Sequence, residues 1–161
     1  WGSAGVAFNA LPSVTAQLDL DVVAEGRWWS LGGGLSALGP GSVGAFTGTV
    51  TAMAFGVGPL GCARFTYGGV CGTTRLGFLH SWASGLPNSG SATTATWNIG
   101  LAPFVELPLS HSLRLRFFLS GQVNAVVTNV LVGIFPAWRT PLFSGGLGLS
   151  LGGRAVDAVV L

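Results

Sequence analysis

The sequence predicts an all-β fold: an eight-stranded antiparallel up-and-down transmembrane β-barrel. Three observations lead there. Five segments alternate apolar and polar residues with period two, the mark of a strand with one apolar face, and three less regular ones (3–9, 47–57 and 69–81) bring the candidates to eight. Several of them run well beyond the five or six residues common in soluble strands, and a tilted strand needs about 9–11 residues to cross a hydrocarbon layer. Finally, only 7% of the 161 residues are charged and none is lysine, although 49% are hydrophobic. Soluble domains carry about 25% charge, so much of this surface is expected to face something other than water.

Length sets one domain. The formal charge of +2 is too small for a nucleic-acid surface. The 27 glycines show no Gly-X-Y period, and no run of 18 apolar residues is free of Gly, Ser or charge. Collagen and a transmembrane helix are therefore not expected. The chain opens at Trp1 without Met or a basic leader, and reads as processed or truncated.

The strands follow in order. Strand one is "SAGVAFN" (3–9). Strand two, "TAQLDLDVVAE" (15–25), sets Thr15, Gln17, Asp19, Asp21 and Glu25 against Ala16, Leu18, Leu20, Val22 and Ala24, with Val23 breaking the polar row. Strand three, "WWSLGGGLSAL" (28–38), opposes Trp29, Leu31 and Leu35 to Ser30, Gly32, Gly34 and Ser36. "TGTVTAMAFGV" (47–57) and "GVCGTTRLGFLHS" (69–81) are the less regular strands four and five. Strand six, "TATWNIGLAPFVE" (94–106), opposes Trp97, Ile99, Leu101 and Val105 to Thr96, Asn98, Gly100 and Glu106. Strand seven, "LRLRFFLSGQVNAVV" (113–127), keeps Leu and Val on odd positions and Arg114, Arg116, Ser120, Gln122 and Asn124 on even ones, interrupted by Phe118. Strand eight is "LFSGGLGLSLGGR" (142–154). The barrel thus covers 1–154, and 155–161 form a short periplasmic tail.

The polar faces carry Gly, Ser, Thr, Asn and Gln with a few opposed charges, while the clear apolar faces carry none. A small barrel in lipid has this inverted arrangement. In the shared interior, Asp19, Asp21 and Glu25 are expected to neutralise Arg114 and Arg116, because an unpaired buried charge is costly. Such a set could line a permeation path. The plainer reading is a plug of neutralised side chains, since eight strands leave space only for side chains.

Joins one, three, five and seven fall at one end, and three of them are the longer ones. Outer-membrane barrels place long loops outside and short turns in the periplasm. That parity puts both termini and the Cys62–Cys71 hairpin on the periplasmic side. Two reduced core cysteines are one reading of that pair; the preferred one is a disulfide across the hairpin, implying an oxidising compartment. Trp28, Trp29, Trp82, Trp97 and Trp138 fall near predicted strand ends, as interfacial girdles require.

With "CARF…GGVC" in its middle and "PLFSGGLGLSLGGR" as its closing strand, the glycine-rich series resembles small outer-membrane barrels of myxobacterial type, whose architecture is that of OmpA/OmpX barrels. The resemblance spans roughly residues 2 to 154. It implies a bacterial outer-membrane location and carries over no catalytic residues. Two departures stand out: no aromatic residue closes the chain, which ends "AVDAVVL", and the beginning is absent.

No metal or other cofactor is expected. His80, Ser81 and Ser84 lie near an outer end, but the clear acids sit elsewhere, and a Ser–His–acid relay needs contiguous hydrogen bonds. His80 is expected as a polar interfacial residue, and His111 as a solvated turn residue. "GGG" at 32–34 lacks the helix and lysine of a phosphate loop. "TNVLVGIFPAWRTP" (128–141) is apolar for an exposed join, which makes Val130, Leu131, Ile134, Phe135 and Trp138 a candidate partner-contact loop. The expected role is non-enzymatic: a structural or anchoring component, with outer-membrane lipid as its surroundings and other envelope proteins or further copies as partners through the outer loops. The alternatives are a soluble barrel binding an apolar ligand and a self-assembling extracellular β-protein.

Overall fold

The computed structural model describes residues 1–45, 48–85, 90–132 and 135–153. Its strands are β1 (Gly2–Phe8), β2 (Thr15–Glu25), β3 (Trp29–Ala45), β4 (Gly48–Phe65), β5 (Gly68–Ser84), β6 (Ser91–Pro108), β7 (Leu113–Asn124), β8 (Asn129–Val132), β9 (Phe135–Arg139) and β10 (Phe143–Gly153). Eight of them close an antiparallel barrel in the order β1-β10-β7-β6-β5-β4-β3-β2, and β8 with β9 forms a separate two-stranded hairpin. Closure is made by β1 against β10, from Gly2 opposite Leu151 to Phe8 opposite Gly145. No strand of the barrel is left as an edge along its full length, so its backbone groups need no solvent inside lipid.

The face assignment holds. Leu18, Leu20, Leu31, Leu101 and Leu119 are each about 60% exposed on the outside, whereas Gln17 is 7% and Arg116 8% exposed in the lumen. A soluble barrel built round an apolar ligand would need the reverse. On β4 the outward row from Met53 to Phe65 contains no charged or hydroxyl residue. At a tilt of about 45° that row is roughly 28 Å tall, the height of a lipid-facing band.

Four strands are longer than their alternation predicts. β3 runs through the segment read as the third join, and residues 46–47 alone separate it from β4. The register shifts between Leu38 and Gly41, a bulge that accommodates Pro40 without a ladder donor. Because of that shift, the lumen-facing residues change from even to odd numbers, which hides the strand from a strict period-two reading. β4 continues to Phe65, past Pro59, where its ladder to β5 skips from Val57 to Leu60. β5 and β6 extend to Ser84 and from Ser91. β7, in contrast, stops at Asn124, short of the expected Val127.

The loop asymmetry survives these changes. One end has the Gly26–Trp28 and Thr66–Tyr67 turns, Leu109–Ser112 and both described chain ends; the other has 9–14, 85–90 and the 125–142 excursion, while the third join, expected among the long ones, is reduced there to 46–47. Above the lipid-facing band, the outward residues of β3–β6 become polar: Ser42 bonds Thr51 at 2.9 Å and His80 bonds Thr93 at 2.9 Å. These four strands therefore project beyond the band at the long-loop end. Exposed Trp28, Trp29, Phe65 and Tyr67 ring the opposite end. Trp97 sits on the lipid face and donates to the Thr74 hydroxyl at 2.9 Å, so neither polar group is left bare to lipid. Trp138 departs from the girdle expectation, as the site geometry below explains. The tail 155–161 lies outside the described residues.

Candidate functional site

The chemistry-bearing residues converge in the lumen because alternation sends every second residue of each strand inward. At the short-turn end, Glu25 closes β2, Arg64 lies near the end of β4, Glu106 near the end of β6, and Arg114 and Arg116 at the start of β7. Register places Glu106 directly opposite Arg116. Glu106 Oε1 accepts from Arg64 at 2.9 Å and Arg114 at 3.0 Å, and Oε2 accepts from Arg116 Nε at 2.8 Å. Glu25 pairs with Arg64 at 2.7 Å, with Arg114 at 3.4 Å and more loosely with Arg116 at 3.6 Å. The Arg116 guanidinium also lies 3.5 Å from the Trp1 ring centre and 4.5 Å from that of Phe104, a cation held between two aromatic faces.

A second group sits farther along the lumen. Arg75 of β5 pairs with Asp19 at 3.1 Å and Asp21 at 3.5 Å, and Gln17 donates to Asp19 at 2.8 Å. The expected pairing is thus corrected in one respect: Glu25 meets Arg114 and Arg116, but Asp19 and Asp21 turn to Arg75. Inter-strand register decides this. Asp19 and Asp21 stand four to six residues up β2 from Glu25, beyond the level of Arg114. Sequence reasoning left Arg64, Arg75 and Glu106 out of the network. Arg64 fell beyond the assumed end of strand four, Arg75 in a strand of unclear face, and Glu106 was on the polar row but unpaired with its hairpin neighbour Arg116. Among the described residues, four carboxylates and four guanidinium groups balance in the lumen.

Between the two charged groups lies an apolar layer. Leu60, Cys62 and Phe104 are buried there, with Val23, Cys71 and Phe118 packed against them. Val23 and Phe118 are the two residues that interrupted the polar rows of their strands; they interrupt them at one level. Cys62 and Cys71 are direct cross-strand partners and form a disulfide within this layer.

The long-loop end is closed by apolar side chains. Leu11 from the first loop, Ala52 and Leu79 are nearly inaccessible, and Trp138 of β9 packs on them with Leu38 and Ala54. The root of the β8–β9 hairpin is held by Asn124, which donates to Pro141 O at 2.7 Å and accepts from Asn98 at 3.3 Å. Of the candidate partner-contact loop, Trp138 therefore faces the barrel mouth, and Val130 lies across from it at half burial. Leu131 and Phe135 belong to β8 and β9; Ile134 lies outside the described residues.

His80 faces outward on the projecting wall, bonded to Thr93 and 5.7 Å from the Trp82 ring. Ser81 points inward, away from it, and is 5% exposed. The carboxylates of Asp19, Asp21, Glu25 and Glu106 are all engaged in the lumen. Among the described residues no three His, Cys, Asp or Glu side chains could hold a metal together.

No family model matches the chain, and no curated protein matches it. Among solved structures, it is similar to Ail, the attachment invasion locus protein of Yersinia pestis. That likeness has a TM-score of 0.56 at 13% sequence identity and covers 96% of this chain and 94% of that one. At this identity the likeness concerns the fold, an eight-stranded closed barrel.

Proposed function

We propose that the chain is a non-enzymatic anchoring barrel of a bacterial outer membrane, closed to solutes and working through what it presents at its long-loop end. One observation carries this reading: the apolar side chains form an outer belt, while the lumen is cross-linked by paired charges and capped by Trp138. A belt of that kind is stable in lipid and an aggregation hazard in water. The disulfide fits an oxidising compartment such as the periplasm through which the chain would pass. Lipid is then its obligate surrounding, and envelope proteins or further copies are its candidate partners.

The projecting β3–β6 wall favours a finer form of the same reading, contact with a macromolecule outside the cell. Its outward face changes from apolar to Ser, Thr and His above the band, as a surface meant for water would. The name of Ail, attachment invasion locus protein, agrees with such a role. The test is expression in a Gram-negative host behind an export signal. The barrel should fractionate with the outer membrane, resist alkaline extraction, shift its gel migration on boiling and leave planar bilayers non-conducting. Recovery in the soluble periplasm, or steady conductance, overturns the proposal.

A further inference from the structure

We propose that Cys62 and Cys71 are the substrate of a disulfide-donating thiol oxidoreductase, and that this oxidation has to be finished before the barrel closes. The inference rests on the outer-membrane reading, in which the chain crosses the periplasm before it inserts. In the closed barrel the pair lies where no second protein reaches it. Cys62 is 5% exposed and buried with Leu60 and Phe104, and Val23, Cys71 and Phe118 pack against them. Toward the short-turn end this layer is covered by the ion pairs of Glu25 and Glu106 with Arg64, Arg114 and Arg116. Toward the long-loop end it is covered by Asp19 and Asp21 on Arg75. Around it the wall is a closed, hydrogen-bonded sheet. Thiol–disulfide exchange runs through a mixed disulfide, so the two proteins must touch at one of these sulfurs. A closed lumen forbids that contact.

Before closure the obstacle is absent. Cys62 and Cys71 are only nine residues apart and face each other across one hairpin, whose Thr66–Tyr67 turn is flanked by the Phe65–Gly68 pair. A hairpin forms in about 1–10 μs, and this one needs no other strand to bring the thiols together. The chain has no third cysteine, so the oxidant comes from outside. The thiolate of one cysteine attacks the oxidoreductase disulfide, and that of the other then displaces the enzyme. The chain gives up two protons and two electrons, and the enzyme leaves as its dithiol. The bond also sets a register that the sequence leaves weak. "GVGPLG" (56–61) on β4 and "GGVCG" (68–72) on β5 offer few side chains to specify it, and at Pro59 the ladder skips from Val57–Leu76 to Leu60–Thr73. A bond between Cys62 and Cys71 pins the turn-side half of this pair and with it the inward placement of Arg64.

The test uses the chain refolded in lipid vesicles, with the gel shift on boiling as a separate reading of the barrel. In one arm the chain is refolded reduced and then mixed with a purified thioredoxin-fold oxidoreductase in its disulfide form, and remaining thiols are counted with a maleimide. Oxidation of the urea-unfolded chain should be at least about 100-fold faster than that of the folded barrel, where reaction waits for the lumen to open. In the other arm the oxidised barrel is mixed with reduced thioredoxin, and its disulfide should outlast that of the unfolded chain by a similar factor. This second arm decides the matter if the reduced chain does not refold. Exchange with a gel-shifted barrel at the rate of the unfolded chain overturns the inference and leaves the barrel reading intact. A chain that shows no gel shift overturns the barrel reading, and this inference with it.

Discussion

Glu106 is the residue on which the lumen depends most, and Glu106→Gln is the sharpest probe of it. Its two oxygens take hydrogen bonds from three arginines at 2.8–3.0 Å. At an effective dielectric of about 20, each contact is worth some 5–6 kcal/mol of gross attraction. Most of that is offset by the cost of bringing the charges out of water, so the gross figure is not the loss to expect. What counts is the state left behind: Arg64, Arg114 and Arg116 would share Glu25 alone, with one uncompensated positive charge in the lumen. Breaking a buried pair from one side costs about 3–5 kcal/mol. Glutamine keeps one acceptor oxygen, which places the expected loss near 3 kcal/mol.

The assay is urea unfolding in lipid vesicles, read from the heat-modifiable gel shift. With a slope of roughly 2 kcal/mol per molar urea, the midpoint should drop by about 1.5 M. Removing one arginine as well restores neutrality. Arg114 is the most exposed of the three, with 22% of its side chain accessible, so Glu106→Gln/Arg114→Gln should recover at least about 1 kcal/mol relative to the sum of the single losses. A Glu106→Gln barrel within 1 kcal/mol of wild type would refute the reasoning, because the network would then be already solvated rather than a condition of folding.

Leu101→Arg, in the middle of the lipid-facing row of β6, should cost about 2–4 kcal/mol of vesicle refolding free energy, while Ser91→Arg on the projecting wall costs at most about 1; equal costs would contradict the placement of the band. Cys62→Ser/Cys71→Ser should lower the thermal midpoint by an amount equivalent to about 2–3 kcal/mol, the value for closing a loop of this short length, and reductant should reproduce it on the wild type. A Cβ at Gly34 would run into the Asp21 carboxylate, so Gly34→Ala should displace Asp21 from Arg75 and cost about 1–2 kcal/mol. Gly33→Ala, which meets only Gly58 O at 3.5 Å, is the near-neutral control. Trp138→Ala should release the β8–β9 hairpin and speed tryptic cleavage after exposed Arg139 while leaving the gel shift intact; unchanged cleavage would mean the hairpin does not depend on that socket.

The eight strands of the barrel and the sense of inside and outside were legible because they depend on local period, whereas the β8–β9 hairpin was read as a loop. β2 and β7 display it over 11 and 12 residues, each with a single break in its polar row. What escaped depends on register between strands. Nothing in β2 alone tells that Asp19 lies at the level of Arg75 and Glu25 at that of Arg64. The upper end of β3 and the lower end of β4 escaped for a related reason: the bulge after Leu38 inverts the parity of one, Pro59 interrupts the ladder of the other, and Gly-rich sequence carries little face information in any case. The plug escaped because an apolar loop is compatible with an outward contact surface or an inward cap, and only the socket of Leu11, Ala52 and Leu79 distinguishes them.

That socket bears on where function resides. A conducting barrel keeps its lumen charges solvated and apart, so that ions can replace one another along them. Here the eight lumen charges are tied to one another, with apolar layers on either side of the Asp19–Arg75 group. Opening such an interior would require breaking several ion pairs at once, each at a cost of kilocalories. A lumen of this kind acts as a rigid filling that holds the wall's shape. The freedom to vary without unfolding then lies in the projecting part of β3–β6, whose outward polar residues make no contact with the lumen network. If the protein meets partners, selection can alter that wall residue by residue, which makes it the region in which activity is to be sought.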